Sequence, residues 1–129
     1  MKKQNFLPGL ILALFLASIM VSATLNPAKK SSNEVPDDVQ AVIKGKCFGC
    51  HNTESRNDKA KEKLLFDKLD SLSIIDKIST YKGIEKELND NKMPPEKFLE
   101  RFPDRALTAD EKQLLLDWAG NERKNVNVN

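Results

Sequence analysis

The chain has 129 residues, with 21 basic and 19 acidic side chains, 40% hydrophobic and 31% charged positions. A formal net charge of +2 supplies no global basic field for nucleic acid or for a membrane surface, and the length allows one small domain with a modest core. Two cysteines and a single histidine restrict any metal or redox chemistry to few atoms.

The chain opens on the short basic head Met1-Lys2-Lys3. Residues 6–21 then carry no charge and lead to Val21-Ser22-Ala23, where a signal peptidase could read small residues. This pattern predicts a secretory signal peptide over 1–23, cleaved after Ala23. The alternative is an uncleaved anchor over 6–21. Those sixteen residues, interrupted by Pro8-Gly9, fall short of the ~20 needed for a spanning helix. The expectation is therefore an exported, periplasmic protein, anchored to the inner membrane only if residues 6–21 are retained. Cleavage leaves 106 residues and takes two of the 21 basic ones, so 19 basic residues face 19 acidic ones.

Residues 24–35 combine Pro, Ser, Asn and Lys without an apolar period, and predict a flexible linker. The folded domain is expected over 36–122. Pro36 and the acidic Asp37 and Asp38 are helix-start signals, and Val39, Val42, Ile43 and Lys46 come next at helical spacing. This short helix runs into Cys47-Phe48-Gly49-Cys50-His51.

That stretch reads C-x-x-C-H, the attachment signature of a c-type haem. Two thiols three positions apart can add to the two vinyl groups of one haem, and the histidine after them can offer an imidazole nitrogen to the iron. Gly49 leaves room for a haem edge close to the backbone. Export agrees with this reading, because c-type haem is attached outside the cytoplasm. Three alternatives compete. A thioredoxin-type redox pair would follow a strand in a βαβ setting, and no strand signal lies upstream. Zinc wants four ligands, whereas the chain clusters three. A disulfide across so short a loop stabilises little.

Residues 52–58 are polar and loop-like. Residues 59–72 place Leu64, Leu65, Leu69 and Leu72 at helical intervals. Ile74, Ile75, Ile78 and Tyr81 continue on an apolar face that Gly83 could cap, and Ile84 and Leu88 suggest a further turn or two. No window alternates apolar and polar for long enough to predict a strand.

Met93-Pro94-Pro95 is the second informative stretch. His51 is the only histidine, so a second imidazole from the same chain is excluded. Met1 and Met20 lie in the leader, which makes Met93 the only methionine of the mature chain. A residue before Pro is held extended, and two successive prolines stiffen the chain beyond it. Met93 is the expected ligand opposite His51. The competing readings are a methionine that fills a core gap, and a distal site that is open or taken by Lys or water. Phe48 in the motif and Pro94 beside Met93 complete the expected haem contacts.

Residues 96–101 suggest a short helical turn ending at Phe102-Pro103. Thr108-Ala109-Asp110-Glu111 is a capping box. It opens a helix with Leu114, Leu115, Trp118 and Ala119, which Gly120-Asn121 could end, and 123–129 are expected to be a disordered tail.

Residues 37–120 resemble the small haem-binding domain family of exported bacterial proteins related to cytochrome c. The resemblance rests on Cys47-Phe48-Gly49-Cys50-His51, Met93-Pro94-Pro95, Phe98-Leu99, Pro103, Ala106-Leu107-Thr108, Glu111 and Trp118. It implies an all-α, cytochrome c-like single domain of four to five short helices around one covalent haem. Cys47 and Cys50 would carry the haem, with His51 proximal and Met93 distal. It also implies that the last helix crosses the first, with Leu115 and Trp118 on Val39, Val42 and Ile43. Two features depart from the pattern. Residues 57–64 are charged where the family is rich in aromatic residues and proline. No proline lies between Pro36 and Pro94, although cytochromes c often use one there to fix the proximal histidine. Another carbonyl, or water, must hold the His51 ring.

The expected function is one-electron transfer by a mono-haem c-type cytochrome of the cell envelope, without an enzymatic activity of its own. The partners would be redox proteins, and no nucleic acid. Lys44, Lys46, Arg56, Lys59, Lys61 and Lys63 flank the motif and could steer an acidic partner, although Asp58 and Glu62 dilute the patch. The alternative is a haem-based sensor or gas-binding module with a labile or open distal site.

Overall fold

The computed structural model describes residues 34–126. Among them the chain is all-helical. The α-helices are α1 (Asp37–Val42), α2 (Asp58–Lys61), α3 (Ile74–Asn89), α4 (Glu96–Leu99) and α5 (Ala109–Val126), with short 3₁₀ turns at Phe66–Ser71 and Pro103–Arg105. The expected signal segment and most of the expected linker lie outside the described residues. Among the described residues no helix is long and apolar enough to cross a membrane.

The core is built mainly where α3 packs on α5, with α1 laid against α5. In α5, Leu115, Trp118 and Ala119 recur at intervals of three and four, which puts them on one face. In α3, Tyr81, Ile84 and Leu88 do the same. The result is one buried cluster of Val39, Ile43, Leu69, Tyr81, Leu88, Leu115, Trp118 and Ala119, with Val42 packed against it. Leu115 and Trp118 thus join Val39, Val42 and Ile43, as the resemblance implied. Tyr81 and Trp118 meet edge to face at 5.5 Å, a favourable arrangement for two aromatic quadrupoles.

Helix ends obey local chemistry. Pro36 precedes α1, and Asp37 and Asp38 occupy its first turn. Ser73 caps α3, its hydroxyl accepting from Asp76 N–H at 3.2 Å. The capping box before α5 closes in both directions: Thr108 N–H donates to Glu111 at 2.8 Å, and Glu111 N–H donates to the Thr108 hydroxyl at 3.1 Å.

Four expectations need correction. Residues 59–72 do not form one helix. The helix stops at Lys61, Leu65 is extended, and a 3₁₀ turn comes after it. The reason is competition for backbone hydrogen bonds: Phe66 N–H donates to the carbonyl of His51 at 3.1 Å, and the wrap around His51 replaces further helix. Gly83 does not cap a helix, since α3 runs through it to Asn89. The cap is Asn91, which takes the left-handed φ of 53°. Asn91 N–H bonds to Leu88 and Lys92 N–H to Glu87, the paired bonds of a Schellman motif. Gly120-Asn121 does not end α5, which continues to Val126. So 123–126, expected in the tail, are helical. A Cβ on Gly120 would sit 3.2 Å from Glu85 Oε1. One turn on, Arg123 Nε reaches Glu85 Oε2 at 2.6 Å, so this end of α5 is fastened to α3. Finally, Ile74 and Ile75, at the N-terminal end of α3, are 57% and 78% exposed and do not join the buried cluster.

Candidate haem site

The chain enters the motif from α1 through a widened π-turn, Ile43–Cys47, where Phe48 N–H bonds to the Ile43 carbonyl at 2.8 Å. A π-turn in a short helix often accompanies a functional site. Next, Cys50 and His51 N–H both turn back to the Cys47 carbonyl at 3.1 Å. The loop beyond is tied onto the motif by side chains. Asn52 Nδ2 donates to the Phe48 carbonyl, and the buried Ser55 hydroxyl donates to the Gly49 carbonyl at 3.3 Å.

His51 is held by backbone. Its Nδ1 lies 3.1 Å from the Ala60 carbonyl and 3.2 Å from the Leu64 carbonyl. Both partners can only accept, so Nδ1 must carry the proton and Nε2 is left with its lone pair. These two carbonyls take the place of the proline carbonyl that the sequence lacks. Phe66 stands edge-on to the imidazole at 6.3 Å. Thr53 pins the far side of the wrap by donating from its N–H to Asp67 at 3.1 Å. The Thr53 hydroxyl hydrogen bond holds the Asp67 carboxyl below its ordinary range.

Cys47 and Cys50 are free thiols, both half-buried. Burial pushes the Cys47 thiol up to about 11, and the charges of Cys50 and Glu111 add to the effect. A redox-active pair depends on a depressed thiol, and burial works against one at Cys47. Among the described residues no three or more Cys, His, Asp and Glu side chains converge as a metal-binding group, which a zinc site would need.

Two adjoining hollows meet at Gly49, Cys50 and Phe102. The smaller, about 250 Å³, lies between the motif turn and Phe98, Phe102 and Arg105. The larger, about 1090 Å³, is bounded by Arg56, Asn57, Lys59 and Arg101. Ligand pockets run to ~300–1,000 Å³. A Cβ on Gly49 would meet nothing within 4 Å, so the backbone there is open to a flat group. Free thiols at the required spacing, an imidazole with one nitrogen committed, and open space beside Cys50 together fit a haem.

Of the expected site residues only Cys50 lines these hollows; Cys47 and His51 stand beside them in the motif turn and line neither. Phe48 packs, with Cys47, against the core. Met93 and Pro94, joined by a cis peptide bond, are half-buried in the segment between α3 and α4, and neither lines either hollow. Met93 is not among the described side chains that pack on the core cluster. Half of the expected basic patch is engaged. Lys44 bonds to Gln40 at 2.9 Å, Lys61 pairs with Asp58 at 3.0 Å, and Lys46 donates to the carbonyls of Asp104 and Ala106. Ala60 and Leu64 were invisible to sequence reasoning because they act through main-chain oxygens. Arg101 and Arg105 carried no motif; their position after the Met-Pro-Pro stretch was the one available signal.

An all-α domain with a C-x-x-C-H turn beside open space belongs to the class of small haem-binding domains if its family agrees. The model of the haem-binding domain family matches residues 56–121, and the chain belongs to that family. The match includes Met93 and Trp118 and begins just after the Cys47–His51 motif. No curated protein and no solved structure was found to match the chain.

Proposed function

We propose that this haem protein is a mono-haem c-type cytochrome that carries single electrons in the cell envelope. In this reading Cys47 and Cys50 would hold the haem through thioethers, and His51 Nε2 and the Met93 thioether would be the side chains offered to its iron. The bound haem supplies a one-electron iron couple whose potential is raised by His/Met ligation. The chain's own part is to hold and orient. The observation that carries the proposal is the His51 imidazole fixed by the Ala60 and Leu64 carbonyls, which orients a neutral ring with Nε2 free. Such an outer hydrogen bond sets the tautomer of a ligating histidine and raises its basicity.

Electron carriage, rather than catalysis, is supported by what the chain offers near the site: no second histidine exists to act as acid or base. Export through residues 1–23, with retention at the inner membrane if they are not removed, gives the compartment in which such a haem is attached. Arg56, Lys59 and Arg101 around the larger hollow beside Cys50 favour an acidic redox partner, with association that slows as salt rises.

The test is the optical spectrum of the protein made with c-type maturation machinery. Ferric protein should show the Met-to-iron charge-transfer band, Met93→Ala should lose it, and the reduced wild type should bind CO slowly. Rapid CO binding with no such band would move the reading to a gas sensor or ligand-binding module.

A further inference from the structure

Met93 sits in the segment 90–108 between α3 and α5, and that segment is tied down at both ends. At the near end Asn91 holds the left-handed turn after α3, and Lys112 Nζ of α5 donates to Asn91 Oδ1 at 2.7 Å. At the far end the contacts cross to the haem motif. Lys46 Nζ donates to the Asp104 carbonyl at 2.7 Å and to the Ala106 carbonyl at 3.1 Å. Arg105 returns the contact, its guanidinium donating to the Gly45 carbonyl. The local fold makes that carbonyl available. In a continuing π-turn Gly45 O would accept from Cys50 N–H, but Cys50 N–H goes to Cys47 instead. Between the two anchors Phe98 and Phe102 stack at 5.0 Å and roof the smaller hollow over Gly49 and Cys50.

We infer that Lys46 and Arg105 form a clasp that holds the Met93-bearing segment closed against the haem-attachment turn and so keeps Met93 available as a ligand. The inference rests on the Met93 ligation proposed above. Both line the smaller hollow, but the role assigned to them is positioning, through the main-chain carbonyls they bind. A thioether is neutral and is a weak ligand. Its occupancy of a coordination site depends on how little freedom the chain leaves it, and a segment anchored at both ends presents it at a high effective concentration. Lys46 immediately precedes Cys47, so the clasp joins the cysteine-bearing turn directly to the methionine-bearing segment. Charged donors on carbonyl oxygens are stronger than neutral pairs. Losing one net hydrogen bond of this kind should raise the open population about tenfold.

The experiment uses the full haem-loaded protein with Lys46→Gln, Arg105→Gln and, as a charge-matched control, Lys124→Gln on the exposed end of α5. The readouts are the Met-to-ferric charge-transfer band as temperature rises, CO association to the reduced form, and proteolytic cleavage within 93–105. Far-UV dichroism monitors folding. Lys46→Gln and Arg105→Gln should each speed CO binding about tenfold, lose the band at a lower temperature and open 93–105 to protease, while Lys124→Gln matches the wild type. Arg105 is half-exposed, so its variant stays informative if Lys46→Gln does not fold. A wild-type band with unchanged CO rates in folded variants overturns the clasp and leaves Met93 ligation standing. A wild type without the band overturns both.

Discussion

The two long helices and the haem-motif wrap are held together by different forces. Between α3 and α5 the contact is mainly apolar: Tyr81, Leu88, Leu115, Trp118 and Ala119 share one buried cluster, with the Glu85–Arg123 ion pair beside it. Around the motif, residues 43–67 contain one four-residue α-helix and a π-turn. They are organised by polar bonds to main-chain oxygens: His51 to Ala60 and Leu64, Phe66 to His51, Ser55 to Gly49, Arg105 to Gly45. The first region provides stability and sets no chemistry. The second orients the His51 ring through its Nδ1 and gives up regular helix to do so. Each hydrogen bond contributes only ~0.5–1.5 kcal/mol net, whereas one large buried aromatic is worth several times that.

That contrast can be broken in order of size. Trp118→Ala should cost about 3–5 kcal/mol, read as a lowered denaturant midpoint, because Trp118 is 5% exposed and anchors both α1 and α3. A loss below 1 kcal/mol would mean the helical pair is not the source of stability. Tyr81 offers a pH test of the same core. Burial, with Glu122 and Asp70 adding, pushes its phenol up to about 12. An ordinary tyrosine titrates near 10, so between pH 10 and 12 the unfolded chain gives up this proton and the folded one keeps it. Stability should fall as pH rises through that window, by up to about 2–3 kcal/mol. Tyr81→Phe should lack this component in urea titrations at successive pH values. Arg123→Ala leaves the half-buried Glu85 without this cation and should fray α5 beyond Gly120, read as faster hydrogen exchange there.

Gly83→Ala sharpens the comparison from the opposite side. Gly83 lies inside α3, and a Cβ there meets nothing within 4 Å. Alanine should therefore stabilise the protein by roughly 0.5–1 kcal/mol. A destabilised variant would instead support a helix cap at this position. In the wrap, Thr53→Ala should lower stability by a few tenths of a kcal/mol and release the Asp67 carboxyl toward its ordinary range. Asp67 is depressed in the folded protein, so its contribution is present at neutral pH and fades as pH falls through the acidic range. NMR titration of Asp67 in the two proteins reads this directly.

The same division explains what could be read in the sequence. The apolar period exposed the inward positions of α3 and α5, because side-chain spacing carries that information, while the partnership of Leu115 and Trp118 with Val39, Val42 and Ile43 came from the family resemblance. Thr108 and Glu111 exposed the start of α5, because a capping box is made of side chains. The motif exposed the two thiols and the histidine. Hidden from reading were features decided by where backbone groups go. The wrap at 62–65 competes with a helix that Leu64, Leu65, Leu69 and Leu72 support by spacing alone. The π-turn ahead of Cys47 leaves no residue signature. The two prominent glycines misled for one reason: Gly83 and Gly120 both sit inside helices, whereas the left-handed cap fell to Asn91, a residue that tolerates it.

The most direct test of the central claim is the intact mass of the protein exported in a host with c-type maturation machinery, taken after extraction with acidified organic solvent. Covalent attachment through Cys47 and Cys50 predicts that the mass of one haem stays with the chain, and that it is lost when both cysteines are replaced by alanine. A bare polypeptide mass, or pigment that leaves with the solvent, would contradict it.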